Sequence, residues 1–339
     1  MYDRKLPPYL SRCAVGVFME CARPVVMGLE KLGLTERVVK TVTRQVPKRL
    51  AATNPFKSYI PTKHDVFVAT YVKSGTNWMM QIAHQLVNHG KSDFEHIHYL
   101  VPWPDTKIMG PTMRGYAVPV EDDSAWKASP EQKRVIKTHF DWELLPYSPD
   151  AHYIMVIRDP KDVFVSSYFF FAKHGAMGDS KLSVETWLNL FLSDRFALWS
   201  NWATNAAGYW AQRHRPNVKV VSFKAMKRDL PGTVRMLADF LGVRATEQEL
   251  QAVSEKSSFQ YMKQIDEKFR MWQLIPWVQV GPMIRKGAHG GSSELISPEQ
   301  QRRIDEFCMA KLKRLGCDLP YEEFCNVEPQ MARTAQIRG

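Results

Sequence analysis

Four short apolar runs, VFVATYV from Val66, RVIKTH from Arg134, HYIMVIR from His152 and VKVVSF from Val218, each lead into a turn or a helical pattern. Helical periodicity occupies 78–89, 161–173, 184–213, 230–241, 247–256 and 298–315. Ser297, ahead of Pro298 and Glu299, reads as an N-cap followed by proline at the first helical position. Buried strands alternating with helices predict an α/β, three-layer fold with a mostly parallel central sheet covered on both faces. With 339 residues, 45% of them hydrophobic, the chain can bury a large core, as one large domain or two small ones.

Such sheets bind ligands beyond the carboxyl ends of their strands, so the residues after each run carry the functional reading. The first end, Lys73-Ser74-Gly75-Thr76-Asn77 before Trp78, has the build of an anion loop: turn and helix N-terminal amides, a full charge on Lys73 and a hydroxyl on Thr76. It lacks the glycine-rich approach of a nucleotide P-loop, because Lys73 follows the strand directly. The second end delivers Lys137 and His139, a neutral imidazole placed to take a proton from a substrate hydroxyl. At the third, Arg158 precedes Asp159-Pro160, a helix start, and Ser166 lies about two turns on, so guanidinium and hydroxyl can share a second phosphate. An apolar strand ending in Asp159 is also the layout of a magnesium-holding strand in an ATPase or kinase. The irregular segments 99–133 and 263–293 are expected to form walls or lids.

The formal charge of +11 favours anionic partners, and its scatter along the chain does not point to nucleic acid. Five cysteines without zinc spacing read as free thiols in a reducing compartment, and no metal site is predicted. No signal peptide and no uninterrupted apolar stretch of ~18 residues is visible, which predicts a cytoplasmic protein. The segment CAVGVFMECARPVVMGLEKLG is apolar but broken by Glu20, Arg23 and Pro24, and Arg37, Lys40, Arg44, Lys48 and Arg49 follow it. It reads either as a helical extension packed on the body or on a second subunit, or as a segment lying on a membrane surface.

YVKSGTNW, KTHFDWELLP, VIRDPKDVFVSSYFFF and MIRKGAHG, in this order and at these separations, resemble the cytosolic-type sulfotransferases. That family uses 3′-phosphoadenosine 5′-phosphosulfate (PAPS), which becomes 3′-phosphoadenosine 5′-phosphate (PAP). The resemblance implies a single P-loop-NTPase-like sulfotransferase domain over 56–325, a helical N-terminal extension over 1–55 and a C-terminal tail over 326–339. It implies transfer of a sulfuryl group to a hydroxyl of an apolar or phenolic small molecule or lipid. Lys73, Ser74, Gly75, Thr76 and Asn77 take the part of the 5′-phosphosulfate loop, and Trp78 lies against the adenine. Arg158, Ser166 and the late loop Arg285-Lys286-Gly287 take the 3′-phosphate. Phe223, Ser257, Phe259 and Ile284 match further adenine contacts. His139 matches the general base, Lys137 and Lys73 the lysines that neutralise the transferring group, and Trp103, Phe140 and Phe170 the acceptor wall.

The chain departs from the family pattern at Val72, commonly proline, and at Asn77, often a second threonine. After Gly287 it lacks the usual Asp-Trp, and its last helix lacks the short dimerisation motif of many animal members, which leaves a homodimer open. The alternatives are a nucleotide-dependent kinase of the P-loop class and a non-catalytic membrane-surface or scaffold protein built on the fold.

Overall fold

The computed structural model describes residues 8–173, 179–196, 198–285, 287 and 290–327. Lys286 of the expected late loop, and 328–339 of the expected tail, lie outside them. All four apolar runs form strands: β1 (Asp65–Thr70), β2 (Arg134–Thr138), β3 (His152–Ile157) and, after a two-residue hairpin pair β4 (Arg195–Phe196) and β5 (Trp199–Ser200), β6 (Val218–Ser222). The sheet order is β2-β1-β3-β6, and every neighbouring pair is parallel.

Strand parity divides the core into two layers. Phe67, Ala69, Ile136, Tyr153 and Met155 face one cluster, which includes helices Pro160–Ser167 and Pro298–Arg314. Val66, Val68, Val135, Ile154 and Val156 face the other, against helices Thr76–Val87 and Leu230–Leu241. Both faces are covered, which is why these strands read as continuous apolar runs. The amino-terminal edge is tied by a buried ion pair in which Arg134 Nε donates to Asp65 Oδ1 at 3.0 Å, with Tyr59 hydroxyl donating to Asp65 Oδ2 at 2.7 Å. Because the chain steps from β1 to β2 on one side and then to β3 on the other, the connections diverge at the carboxyl end of β1, the place where such sheets open a crevice.

The helix expected over 184–213 is not continuous. It divides into Val184–Phe191, the β4–β5 hairpin and Trp202–Trp210. Ser193 Oγ lies 2.6 Å from the carbonyls of both Leu190 and Arg195, either of which can take its one hydrogen, at the end of the first helix, and Asn201 caps the second by accepting from Thr204 N–H at 2.9 Å. Short polar side chains here outcompete the helical ladder. The π-turn Tyr168–Lys173 likewise replaces the last part of the 161–173 helix.

Helices Tyr9–Lys31, Thr35–Thr43 and Val46–Ala52 form the amino-terminal region. The first is fixed to the body at both ends: Arg12 Nε donates to the Gln273 carbonyl at 2.9 Å, and Glu30 Oε1 accepts from Thr186 hydroxyl at 2.6 Å. Between them Gly16 sits under Trp277, where any Cβ would lie 2.3 Å from the ring.

Ser297 is the expected N-cap, in a reciprocal box with Gln300. Ser297→Ala is expected to lower unfolding free energy by about 1 kcal/mol, read as a shifted urea midpoint with unchanged slope.

Candidate active site

The loop after β1 turns sharply because two residues adopt left-handed backbone: Lys73 at φ 64° and Gly75 at φ 97°. Lysine holds that conformation at a cost, a form of strain that concentrates at functional sites. The turn is closed by Ser74 N–H donating to the Tyr71 carbonyl at 3.1 Å and by Thr70 and Thr76 hydroxyls 2.5 Å apart. Arg158 Nη1 reaches across from the end of β3 and donates to the Lys73 carbonyl at 3.0 Å, so the first and third strand ends lock each other.

At the second end, His139 Nδ1 lies 2.9 Å from the Thr70 carbonyl. A carbonyl only accepts, so Nδ1 carries the hydrogen and Nε2 keeps its lone pair. The ring is buried with Trp103 and Trp199 edge-on to it, at 5.7 and 6.1 Å between centroids. Burial, and then the charge of Lys137, push its pKa down to about 3, so it is neutral at physiological pH. Its backbone N–H donates to Asp105 Oδ2 at 2.7 Å, which pins the strand end to the turn Pro104–Lys107.

Three cations converge here with aromatic faces beneath them. Lys73 Nζ stands 3.7 Å over Phe170, Lys137 Nζ 3.4 Å over Trp103, and the Arg158 guanidinium 4.5 Å over Phe223. Desolvation lowers the pKa of both lysines to about 7. The charge of Arg158 adds to the effect on Lys73, and that of Lys73 to the effect on Lys137, whereas Asp105 opposes it on Lys137. Asp105, fully buried, is itself pushed up to about 6 by desolvation.

Further out, Trp78 Nε1 donates to the Ser257 carbonyl at 2.7 Å and its ring meets Phe223 edge-on at 5.4 Å. Arg285 pairs with Glu294 and lies 4.3 Å over Phe169, while Lys227 Nζ donates to the Gly287 carbonyl at 2.7 Å.

Most of these groups line one cavity of about 770 Å³. It brings together Lys73, Gly75, Thr76, Asn77, Trp78, Trp103, Lys137, His139, Arg158, Ser166, Phe170, Phe223, Phe259, Ile284, Arg285 and Gly287. Ser74 and Ser257 lie just beneath its surface, each with a buried hydroxyl oxygen that has no partner among the described residues. Phe140 corrects the expectation for the acceptor wall: it packs edge-on to Phe56 at 6.0 Å and joins the Ile136 face of the core. One residue past His139, it points the other way. Both irregular segments do supply walls, through Trp103 and Met109 and through Met271, Met283 and Gly291.

Sequence reasoning missed Asp105, Trp199, Phe171 and Asp162. Asp162 accepts from Gly290 N–H at 3.0 Å and lies 3.9 Å from Arg158 Nη2. Phe171 and Trp199 reach the cavity through the π-turn and the β5 hairpin, both hidden inside expected helices. The donor set fits a polyanion attached to a flat aromatic ring: cations and loop amides share the cavity with the Trp78–Phe223 pair and Phe259. Among the described residues no group of three or more His, Cys, Asp or Glu could hold a metal ion.

A parallel sheet that gathers buried cations and a neutral imidazole at its carboxyl edge is the build of a group-transfer enzyme with a polyanionic donor. The sulfotransferase-domain family model matches residues 63–316, and the chain belongs to that family. It is 28% identical to human sulfotransferase 2A1 over 277 residues, 78% of this chain and 89% of that protein. It is 31% identical to rat sulfotransferase 2A2 over 214 residues, 62% and 70% of the two chains. Among solved structures it resembles mouse sulfotransferase SULT7A1 complexed with PAP (21% identity, TM-score 0.56, 78% and 89% of the chains). It also resembles retinol dehydratase in complex with androsterone and PAP (24% identity, TM-score 0.61, 80% and 88%). These two likenesses show the fold.

Gly75 tests the loop geometry, since a Cβ there would lie 2.8 Å from Phe223 Cδ2 on left-handed backbone. Gly75→Ala is expected to destabilise the protein by about 1–2 kcal/mol and to weaken PAP binding by displacing Phe223. Thermal melts with and without PAP read both effects.

Proposed function

We propose that this sulfotransferase moves the sulfuryl group of PAPS to a hydroxyl of an apolar or phenolic acceptor, with His139 as the general base. The observation that carries the reading is the fixed tautomer of His139: Thr70 holds Nδ1, which leaves Nε2 as a lone pair inside the cavity that also holds Lys73 and Lys137. When bound, PAPS supplies the sulfuryl group and a phosphate leaving group. In this reading Lys73, Ser74, Gly75, Thr76 and Asn77 form a P-loop-like cradle for its 5′ end. Arg158, Ser166, Arg285 and Gly287, with Lys286, take its 3′-phosphate. Trp78, Phe223, Ser257, Phe259 and Ile284 surround its adenine.

His139 Nε2 takes the acceptor hydroxyl proton as that oxygen bonds to sulfur, and its Nδ1–H shares the resulting charge with the Thr70 carbonyl. Lys73 and Lys137 stabilise charge that grows on the sulfuryl oxygens and the departing phosphate, from positions set before the reaction begins. Trp103, Phe170, Trp199, Met109 and Met271 form the acceptor wall and exclude water. Phe140 supports that wall from the core. Membership of the sulfotransferase family sets aside the kinase alternative. The five unpaired cysteines support a reducing, cytoplasmic setting.

Radiolabelled sulfate from PAPS, offered to phenols, sterol-like alcohols and long-chain alcohols, tests the activity and its acceptor class together. His139→Ala is expected to lower transfer by about 10²–10⁴-fold while the PAP dissociation constant stays near that of the wild type. If binding collapsed along with activity, His139 would be a structural residue and the assignment as base would fail.

A further inference from the structure

The helix Tyr9–Lys31 carries more apolar surface than its contact with the body covers. Its anchors to the body are Arg12, Gly16 and Glu30, two polar residues and a glycine. Val15, Met19, Val26 and Leu29 are partly covered, but a second set of apolar side chains points away. Of the fifteen large hydrophobic side chains exposed among the described residues, ten lie in 9–42, including Leu10 at 80%, Phe18 at 70% and Val42 at 71% exposure. Leu10, Val17, Phe18, Val25 and Leu32 recur at helical spacing and form a stripe, not isolated exposures.

On the helix Thr35–Thr43, exposed Val38 and Val42 alternate with exposed Arg37 and Lys40, and Arg44 follows. Over 9–52 there are eight basic residues and three acidic ones. Apolar side chains flanked by long cationic ones that can snorkel are the composition of a helix lying in the plane of an anionic lipid surface. A second copy of this chain would bring like charge against like charge. No helix among the described residues is long and apolar enough to span a membrane, so the contact is peripheral.

The place of the stripe gives it a purpose. Gly16 and Arg12 hold the segment 273–277, two residues along the chain from Met271 on the cavity wall. Trp277 itself is half exposed beside the helix and extends the apolar patch.

We propose that the helices 9–43 dock this protein on an anionic lipid surface, seating the wall formed by 271–277 against the bilayer so that the acceptor enters as a membrane-dissolved alcohol. The second clause rests on the proposed sulfotransfer; the docking does not. The test is co-sedimentation of the full chain, without PAPS, with phosphatidylcholine vesicles and with vesicles containing about 30 mol% phosphatidylserine. The wild type is expected to partition onto the anionic vesicles and to be released by salt. Phe18→Ser with Val25→Ser and Val42→Ser is expected to lower partitioning about tenfold or more. Lys40→Glu with Arg44→Glu is expected to do so on anionic vesicles by a similar factor. All five side chains are exposed, and turnover of a soluble phenol, unchanged in both variants, reports that the fold is intact.

The docking is overturned if the wild type stays in the supernatant, or if partitioning ignores both variants. It is also overturned if the serine variant converts a dimer to a monomer while vesicles bind neither form. Vesicle binding with no preference for membrane-dissolved over soluble alcohols would keep the docking and overturn the acceptor route. Absence of any sulfate transfer would instead count against the activity alone.

Discussion

The structure depends on how it holds two lysines and an arginine under the surface, where desolvation brings the lysines close to neutrality. Lys137 is buried, and Lys73 and Arg158 are nearly so, at the point where the connections of a parallel sheet diverge. Removing such charges from water costs several kcal/mol each unless something answers them. Part of the answer here is aromatic: Phe170, Trp103 and Phe223 offer ring faces to the three groups, with Asp162 near Arg158 and Asp105 acting on Lys137. A ring face contributes about 0.5–2 kcal/mol. That holds a lysine in position without fixing it as charged, so a ligand can still supply the countercharge. A carboxylate in direct contact with either lysine would have fixed its charge before a ligand arrived.

The same economy governs the proton. His139 is kept neutral by burial beside Lys137, and its orientation is set by two backbone contacts, Nδ1 to the Thr70 carbonyl and its own N–H to Asp105. Asp105 therefore links the turn Pro104–Lys107, which carries the Trp103 wall, to the strand end that carries the base. A change of acceptor wall in this region would be felt at the imidazole through one 2.7 Å hydrogen bond.

Much of this was legible in the chain, for physical reasons that can be stated. Strands buried on both faces leave unbroken apolar runs, so β1, β2, β3 and β6, and with them Lys73, Lys137, His139 and Arg158, could be placed before any coordinates. Caps such as Ser297 leave local signatures. What could not be read was set by contacts distant in sequence. Asp105 sits in an irregular stretch with no period, and its partner is thirty-four residues away. The break at Ser193–Asn201 lies inside an aromatic-rich stretch that also suits a helix, and only the side-chain bonds of Ser193 and Asn201 decide it. Phe140 shows a different limit: the strand's alternation runs on past Thr138 and turns Phe140 to the core, which a motif match does not register.

The cavity holds basic groups that a bound polyanion would charge, and protons report on that directly. At pH 8 Lys73 and Lys137, with pKa values held near 7, are largely neutral in the free protein. A phosphate beside them raises those pKa values, so binding must draw protons from solution. Calorimetric titration of PAP into the protein at pH 8, in two buffers of different ionisation enthalpy, measures that exchange. Net proton uptake is expected at pH 8, shrinking towards pH 6, where the lysines are already charged. Binding with no proton exchange at pH 8, or with release, would contradict it.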